Sequence, residues 1–486
     1  MKTGWILVVD DYSDKSKNAI NMLYSAFAGY FDYVLPVRLV SDICDEQLAH
    51  CNILVAGKIA SNRLLKKCLE LSLIDVPKKR EEYSIFVGAS PFNAKNQIIA
   101  VAAKDDAALL YGCADFCNKY CGDILFKGAD LWDAECFKNP FDRKLNEWKI
   151  TLCPAIKTRA IWTWGHVIYD YKGFLNNMAR LKLNQIVIWN DVVPLNANDI
   201  VEYAHSLSIK VIWGFAWGWA TKCKDVLKHI AKNGTDDLKR QILSTYNSQY
   251  KNVKGDGIYF QSFTELNTSS KKAKMLANTV TELVNEVCAE LLRENPNLHI
   301  QFGLHATSVK NNLDVIKNVD ERIHIIWEDC GAFPYDYYPD NVADFDQTLL
   351  LTNTLLTLRG KNEKFGAVLK GMLKLDWNNF EHFSEPYILG ERTNSYIANR
   401  QIAKEKIWKI IQADWLKNAE YVRKTVAAAK NNKNAIFEAL VEDAMFENKI
   451  MFPVALYAEI LWTPNEDINL IKEQVAKYPC VNFANL

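Results

Sequence analysis

The sequence predicts an α/β protein with an N-terminal open α/β domain over residues 1–150 and a (β/α)8 TIM barrel over residues 151–486. Three observations support this prediction. Short apolar strands alternate with amphipathic helices in the first part, and strand-helix units then recur at roughly 25 to 45 residues, the length that a parallel strand and its crossover helix need. Polar and aromatic residues collect directly after the strands of the second part.

Composition limits the possible partners. The 486-residue chain carries 58 Lys and Arg against 58 Asp and Glu, so no net positive charge attracts nucleic acid or an anionic membrane. Phe, Tyr and Trp make up 12% of the residues, and such rings both fill cores and stack on sugar faces. We therefore expect neither nucleic acid nor a membrane as a partner, while the oligomeric state stays open.

Cysteine usage and the N-terminus predict a cytoplasmic protein. The 12 cysteines are scattered, and a chain of this size does not need a disulfide framework. Cys113, Cys117 and Cys121 recur every four residues, but they lack the Cys-x-x-Cys spacing of zinc sites, so core packing is the preferred interpretation. No metal or other cofactor is predicted. The apolar run 5–9 is too short for a signal-peptide core or a membrane span.

The N-terminal domain is predicted to have a structural role. Its predicted strands cover residues 5–9, 33–40, 52–56, 83–88 and 97–102. Asp105 and Asp106 then open a helix with an aromatic stripe on its inner face. No glycine-rich turn follows any of these strands, so the pattern does not favour a nucleotide-binding domain.

Eight candidate strands support the barrel. They cover residues 158–163, 185–189, 211–215, 257–261, 299–303, 324–327, 366–373 and 456–461. A long helical region, about residues 394–448, falls between the last two strands. It is predicted to be an insertion or a small helical subdomain.

The residues that follow these strands predict a saccharide pocket. Substrate sites of (β/α)8 barrels lie at the carboxyl ends of the strands, and indoles, amides, imidazoles and carboxylates together are typical of sugar binding. The predicted substrate-binding residues are Trp162, Trp164, His166, Asn190, Asp191, Trp213, Trp217, His305, Asp376, Trp377 and Trp462. Core packing is the alternative for each tryptophan. Asp256 precedes its strand, so we expect it in a turn at the opposite face.

Glu265 is the predicted general acid. It follows the fourth strand, with Phe263 and Thr264 before it and Leu266 after it, a setting expected to raise the pKa of a carboxyl toward the working pH. Glycosidic cleavage normally needs a second group, and Glu328 and Asp329, after the sixth strand, are the predicted partners, with Asp376 and Glu391 as alternatives. A carboxyl separation of roughly 5 to 5.5 Å implies retention of configuration, and roughly 6.5 to 9.5 Å implies inversion.

Four stretches resemble known glycoside hydrolases. The run AALLYGCADF (107–116), followed by RAIW (159–162), looks like the accessory domain and barrel opening of glycoside hydrolase families 20 and 67. The runs DGIYFQSFTE (256–265) and IWEDCGAFPY (326–335) are similar to glycoside hydrolase family 163. The resemblance extends from about residue 85 to the end of the chain and rests on short motifs.

Each family implies a different activity. Family 163 implies an endo-acting β-N-acetylglucosaminidase on N-glycans with Glu265 as the acid/base. Family 20 implies an Asp-Glu pair whose Asp orients the substrate acetamido group, but Thr264 stands in the Asp position here, so that role needs another residue. Family 67 implies an α-glucuronidase, for which Arg159 and Arg392 are the candidate uronate partners.

The predicted function is therefore that of a glycoside hydrolase acting on an oligosaccharide, with β-linked N-acetylhexosamine favoured. An α-glucuronidase-like hydrolase and a non-catalytic carbohydrate-binding barrel are the alternatives. The sequence shows no close His/Asp/Glu ligand cluster, which disfavours a metal-dependent barrel enzyme. Linkage, exo or endo action and stereochemical outcome stay open.

Overall fold

The computed structural model describes most of the chain. The described residues are 4–13, 16–28, 31, 33–121, 141, 144–190, 192–217, 230, 232–261, 270–305, 312–328, 345–372, 385–441, 444 and 446–484, without the side chains of residues 270–272 and 305. They form a six-stranded sheet followed by a closed eight-stranded barrel with helices around it. The predicted fold class is confirmed.

The N-terminal sheet is mixed. Its strands are β1 Trp5–Val9, β2 Val37–Leu39, β3 Asn52–Lys58, β4 Tyr83–Ser90, β5 Asn93–Ala103 and β6 Trp148–Leu152. They lie in the order β2-β1-β3-β5-β4-β6, with β4 antiparallel to both of its neighbours. The described residues include four helices beside the sheet, α1 Lys17–Ala28, α2 Asp45–Leu48, α3 Arg63–Glu70 and α4 Asp106–Asp115. Asp105 caps α4 by accepting the Ala108 backbone N–H, as the sequence predicts.

The barrel consists of eight parallel strands that follow one another in chain order. They are β7 Thr158–Trp164, β8 Gln185–Trp189, β9 Lys210–Ala216, β10 Gly257–Gln261, β11 His299–His305, β12 His324–Glu328, β13 Phe365–Met372 and β14 Ile436–Val441. The helices are α5 Tyr171–Arg180, α6 Ala197–Ser206, α7 Asp236–Thr245, α8 Ser270–Glu294, α9 Leu313–Ile316, α10 Phe345–Leu355, α11 Asn394–Ala429, α12 Phe452–Trp462 and α13 Ile468–Val475. Strands β15 Ile450–Met451 and β16 Val481–Asn482 form a separate pair.

The predicted eighth strand is wrong. Residues 456–461 lie within α12, and the eighth strand β14 lies inside the range predicted as a helical insertion. Every residue of α12 is buried, so its apolar run has no polar face that would distinguish a buried helix from a buried strand. Among the described residues of the predicted insertion, the helical part is α11.

Small residues on alternate strands let large side chains meet inside the barrel. A methyl group built on Gly366 of β13 would overlap Ile326 on β12 and lie 3.3 Å from Ile436 on β14. The same holds on β11, where a methyl group on Gly303 would overlap the Tyr259 hydroxyl. The glycines of β11 and β13 therefore leave room inside the barrel for bulky side chains of β10, β12 and β14.

A buried ionic cluster joins the sheet and the barrel. Lys182 lies 2.6 Å from Asp115 Oδ1 and 3.2 Å from Glu459 Oε2, and Lys119 pairs with the same two carboxylates. All four side chains are at most 4% exposed. Burial alone would raise the pKa of Glu459, and the two ammonium groups outweigh it and lower that pKa. Asp115 ends α4 and Lys119 follows it, whereas Lys182 and Glu459 belong to the barrel, so these charges connect the two parts of the fold.

Two further features of the fold concern the cysteines and the apolar character of the helices. Cys113 and Cys121 are buried free thiols, and burial raises the pKa of each to about 12. No helix within the described ranges is both long enough and apolar enough to cross a membrane.

Candidate active site at the mouth of the barrel

Glu328 is the centre of a polar cluster where three barrel strands end. Its Oε1 accepts a hydrogen bond of 2.7 Å from the Tyr259 hydroxyl and another from Gln261 Nε2. Its Oε2 lies 2.7 Å from the ammonium group of Lys370. Glu328 is 1% exposed, so its charge needs polar partners within the protein, and these three side chains are among them.

The chain positions these side chains by strand alternation. Tyr259 and Gln261 lie two residues apart on β10, so both point into the barrel, and Glu328 is the last residue of β12. Strand β11 lies between them, and Gly303 leaves the space through which they meet. Lys370 comes from β13, where the register with β14 shifts between Leu369 and Met372.

The charges of the cluster favour an ionised Glu328. Burial alone would raise the pKa of Glu328, but Lys370, Tyr259 and Gln261 outweigh it and hold that pKa below its ordinary value. Burial and the nearby Glu328 charge raise the pKa of Tyr259 well above its usual range, so the phenol remains a donor. The cluster therefore holds a buried anion at neutral pH.

A second carboxyl, Glu438 on β14, lies in the same barrel interior and is 0% exposed. Burial first, and the Glu328 charge second, raise the pKa of Glu438 well above its ordinary value. Gln185 Nε2 donates a 3.2 Å hydrogen bond to its Oε1, and no described residue bonds its Oε2. The surroundings thus favour the protonated form of Glu438 and the ionised form of Glu328.

Three tryptophans and Tyr259 form an aromatic wall beside the cluster. Trp162 packs edge-on against Trp164 at 4.7 Å between ring centroids and stacks on Trp189 at 6.0 Å. Tyr259 meets both Trp162 and Trp189 edge-on. Trp162 and Trp164 thus lie inside the barrel, where the sequence predicts them, and Trp189 joins them. Their contact with a substrate stays a prediction.

Asn190 and Tyr387 lie at the rim above β7 and β8. Asn190 follows β8, is 7% exposed and has an Oδ1 to which no described residue donates a hydrogen bond. A methyl group on Gly165 would lie 2.5 Å from the Tyr387 hydroxyl and 3.6 Å from the Asn190 side chain. His166 is in the short turn Gly165–Val167 after β7 and is half-buried. The rim therefore offers a buried acceptor beside a phenol.

Several predicted site residues lie outside the described part of the chain. They are Glu265, Asp329, Asp191, Asp376 and Trp377. His305 ends β11 and pairs in register with Glu328, but its side chain is not described. The pairing of Glu265 with Glu328 or Asp329, and hence the carboxyl separation, stays a prediction. Glu391 is exposed, and its backbone pairs with Asp170.

The predicted pocket positions of Trp213 and Trp217 are corrected by the structure. Both side chains point outward from the barrel wall, because Ile212 and Ala216 of the same strand point inward. Trp217 stacks on the outward-facing Phe260 with 3.5 Å between ring centroids. Trp213 is 1% exposed and lies against Gly255. Both rings therefore pack between strands and helices.

The predicted pocket position of Trp462 is corrected as well. Trp462 ends α12, and its ring packs on Tyr83 and Tyr111 of the N-terminal sheet unit, with ring centroids 5.8 Å apart in both pairs. The Arg159 guanidinium lies over the same ring and pairs with Glu81 at 2.9 Å. Trp462 and Arg159 thus belong to the junction of sheet and barrel, and Arg159 is not available to a uronate at the mouth.

Sequence reasoning missed four members of the site: Tyr259, Gln261, Lys370 and Glu438. A signal for two of them exists, because β10 alternates Gly, Tyr and Gln on one face with Ile and Phe on the other. Alternation along β13 also puts Lys370 on the same face as Gly366 and Val368, but nothing in the sequence indicates its ion pair with Glu328.

Comparisons with known proteins bear on the fold. No protein-family profile and no curated protein matches the sequence. The structure of the glycoside hydrolase CpGH84B aligns with a TM-score of 0.51 at 8% identity, over 97% of this chain and 70% of that one. This likeness shows a shared fold.

Two other solved structures align at lower scores. CpGH84D gives a TM-score of 0.49 at 11% identity over 96% of this chain and 67% of that one. The GH20 β-N-acetylhexosaminidase from Streptomyces coelicolor A3(2) gives 0.48 at 12% identity over 97% and 90%. At these scores they add nothing to the fold assignment.

Proposed function

We propose that the protein is a glycoside hydrolase that cleaves an oligosaccharide at a β-linked N-acetylhexosamine. Glu265 is the general acid, and the ionised Glu328 stabilises or orients the reacting sugar. The observation that carries the proposal is the Glu328 carboxylate, buried at the mouth of the barrel, ion-paired with Lys370 and flanked by the tryptophan wall. Glycosidic cleavage needs such a fixed negative charge, because its transition state resembles an oxocarbenium ion.

The hydrogen bonds and the ion pair of Glu328 favour a role other than nucleophile for this carboxylate. Tyr259 and Gln261 occupy Oε1, and Lys370 occupies Oε2, so neither oxygen is a strongly basic nucleophile. A group held in this way suits electrostatic stabilisation or orientation of a substrate amide better than covalent attack. We therefore propose that water or the acetamido group of the substrate attacks the anomeric carbon.

The aromatic wall and the fold support a carbohydrate substrate. Trp162, Trp164 and Trp189 present flat apolar surface next to a charged cluster, a combination that matches the apolar face and polar edge of a pyranose. The orphan acceptor Asn190 Oδ1 suits a hydroxyl or amide donor of the sugar. The fold shared with the glycoside hydrolase CpGH84B is compatible with this activity.

A substrate panel tests the proposal. Purified protein is incubated with aryl β-glycosides of N-acetylglucosamine, N-acetylgalactosamine and glucose, with an aryl α-glucuronide, and with a released N-glycan. We expect cleavage of an N-acetylhexosaminide, either as the aryl glycoside or within the N-glycan. Binding of glycan without cleavage of any substrate would contradict the proposal and favour the non-catalytic binding barrel.

Three variants assign the carboxylates. Glu265→Gln should abolish turnover of substrates with poor leaving groups and spare those with activated aryl leaving groups, which need less protonation. Glu328→Gln should lower kcat for both kinds of substrate, because charge stabilisation is needed in either case. Glu385→Gln, an exposed carboxylate on the segment that carries Tyr387, is the matched control and should leave kcat unchanged. Equal effects of the three substitutions would contradict the assignment.

A second candidate, hydrolysis of a uronic acid, is favoured by one observation. Lys370 brings an ammonium group, 12% exposed, to the inner end of the mouth, where it can meet a substrate carboxylate. In that case the α-glucuronide is the substrate that is cleaved, and Lys370→Met raises KM for it far more than for a neutral glycoside.

A further inference from the structure

Strand β13 contains a β-bulge directly at the candidate site. Leu369 pairs with Ala439 and Met372 pairs with Val441, so three steps along β13 match two steps along β14. Lys370 and Gly371 of β13 therefore lie opposite one residue of β14, Leu440. Bulges of this kind re-aim side chains and are common next to active sites.

A buried tryptophan on α11 holds this bulge. Trp415 Nε1 donates a 3.0 Å hydrogen bond to the carbonyl oxygen of Gly371, and the Trp415 side chain is 0% exposed. A bulge removes the affected residues from the regular ladder, so a freed carbonyl in the interior needs a donor from elsewhere. The indole supplies that donor.

The bulge lies directly at Lys370, which shares the inner face of β13 with Val368. Glu328 pairs in register with Val368, so Lys370 lies two residues beyond the position directly beside Glu328. Its ammonium group nevertheless reaches Glu328 Oε2 at 2.7 Å. A change in the twist of the strand at Gly371 would move this long side chain away from its carboxylate.

We propose that Trp415 is a positioning residue, whose indole N–H fixes the bulge at Gly371 and thereby holds Lys370 against Glu328. Only the effect of Trp415 on catalysis rests on the proposed function. The geometric claim, that Trp415 sets the Lys370–Glu328 pair, holds for a barrel of any activity.

The proposal predicts a change in how stability depends on pH. Among the described residues, the titratable groups that face Glu328 are Tyr259, Lys370 and Glu438. Tyr259 stays protonated across the acid range, because burial and the Glu328 charge raise its pKa. With Lys370 in place, the pKa of Glu328 is below its ordinary value of 4.5, so the carboxylate adds stability that is lost as the pH falls below that value. Without Lys370, burial dominates, the pKa rises, and the same carboxylate costs stability as the pH increases above 4.5.

The experiment measures unfolding free energies from pH 3.5 to 7 for the full chain and for Glu328→Gln, each with and without Trp415→Phe. With Trp415 present, the stability of the Glu328 protein relative to Glu328→Gln should rise with pH and then level off. With Trp415→Phe, this difference should fall with pH, as it should in a Lys370→Met background. An unchanged pH dependence in Trp415→Phe would overturn the proposal.

Trp408→Phe is the matched control. Trp408 lies seven residues earlier on α11, is also buried at 3% exposure, and donates its Nε1 proton to no described acceptor. It should lower overall stability without altering the pH dependence of the Glu328 difference. A reversal of that dependence in Trp408→Phe would also overturn the proposal, since the effect would then be general to loss of an indole.

Two additions keep the outcome decisive. If Trp415→Phe does not fold, 3-benzothienylalanine at position 415 keeps the shape of the indole and replaces only the N–H, with the same expected reversal. If the unmodified protein cleaves no glycoside, the proposed function fails while the stability measurement still decides the role of Trp415. If it does cleave one, Trp415→Phe should lower kcat and move the acid limb of the pH profile, with KM little changed.

Discussion

Tyr259 and Glu328 meet across a strand that has no side chain between them. The phenol donates a 2.7 Å hydrogen bond to Glu328 Oε1. Gly303 of the intervening strand β11 lies so close that a methyl group there would overlap the phenol oxygen and lie 2.6 Å from Glu328 Oε1. The size of residue 303 is therefore a condition for the bond between the other two.

Gly303→Ala should separate Tyr259 from Glu328 without removing either polar group. We expect a loss of roughly 1 to 3 kcal/mol in unfolding free energy from overpacking, together with a fall in kcat on any substrate the protein cleaves. Gly366→Ala is the control, because it overpacks the apolar contact of Ile326 and Ile436 in the same barrel. Chemical denaturation and turnover should show similar destabilisation in both variants and a specific loss of activity in Gly303→Ala. Equal activity of the two would contradict the role given to this bond.

Glu447 should make the protein less stable as the pH rises toward 8. It is 4% exposed, its Oε1 accepts the Tyr169 backbone N–H at 2.9 Å, and no described residue bonds its Oε2. Burial raises the pKa of Glu447 to about 8, so the native state keeps a proton that the unfolded chain releases above its ordinary value of 4.5. Stability from this group is fully present below pH 4.5 and declines up to about pH 8.

Glu447→Gln should remove this dependence. The amide oxygen still accepts the Tyr169 N–H, and the neutral side chain does not titrate. Relative to the unmodified protein, we expect Glu447→Gln to gain a few kcal/mol between pH 5 and pH 8, since each unit of pKa is worth about 1.4 kcal/mol. Urea unfolding at the two pH values measures the difference. A constant difference would mean that Glu447 is ionised in the folded protein.

The barrel could be predicted from the sequence because most of its strands are apolar runs bounded by polar loops. The first seven predicted strands overlap β7 to β13. Strand β14 escaped prediction since it carries Glu438 in the middle of a fully buried run, and buried carboxyls are rare. The helix α12 was mistaken for a strand because all of its faces are buried.

The site could be predicted only in part. Glu328 is recognisable as a carboxylate at a strand end, and the structure gives it a charged partner that the sequence does not reveal. The tryptophans show why side-chain direction is difficult to predict. Both faces of a parallel barrel strand are apolar, so nothing in the composition of β9 distinguishes the outward Trp213 from the inward Trp162 of β7.

The buried ionic cluster should be intolerant of losing a single charge. Lys182→Met keeps the unbranched stem of the side chain but leaves Asp115 and Glu459 with one ammonium group, from Lys119, to compensate two carboxylates. We expect a loss of roughly 3 to 5 kcal/mol in unfolding free energy, as for other buried ion pairs deprived of one partner. Lys254→Met breaks the exposed pair with Glu202 and should change the unfolding free energy far less, because water already solvates both charges. Equal losses in thermal unfolding would show that the cluster is solvated.

Ser208→Gly should stabilise the protein, and Ser206→Gly should destabilise it. Ser208 has a φ of 59° just after α6, where Ile209 donates its N–H back to the Ala204 carbonyl to close the helix. Glycine adopts this left-handed backbone without the steric cost that serine bears, so we expect a gain of roughly 0.5 to 1 kcal/mol.

Glycine at Ser206, two residues earlier, should have the opposite effect on stability. Ser206 ends α6 with helical backbone, and its hydroxyl donates to the Tyr203 carbonyl at 2.7 Å. Glycine there adds backbone freedom to the unfolded chain and removes that bond, so a loss of roughly 1 kcal/mol is expected. Equilibrium denaturation of the two variants side by side measures a difference in sign. If both variants lost stability, the left-handed conformation at Ser208 would carry no strain that glycine relieves.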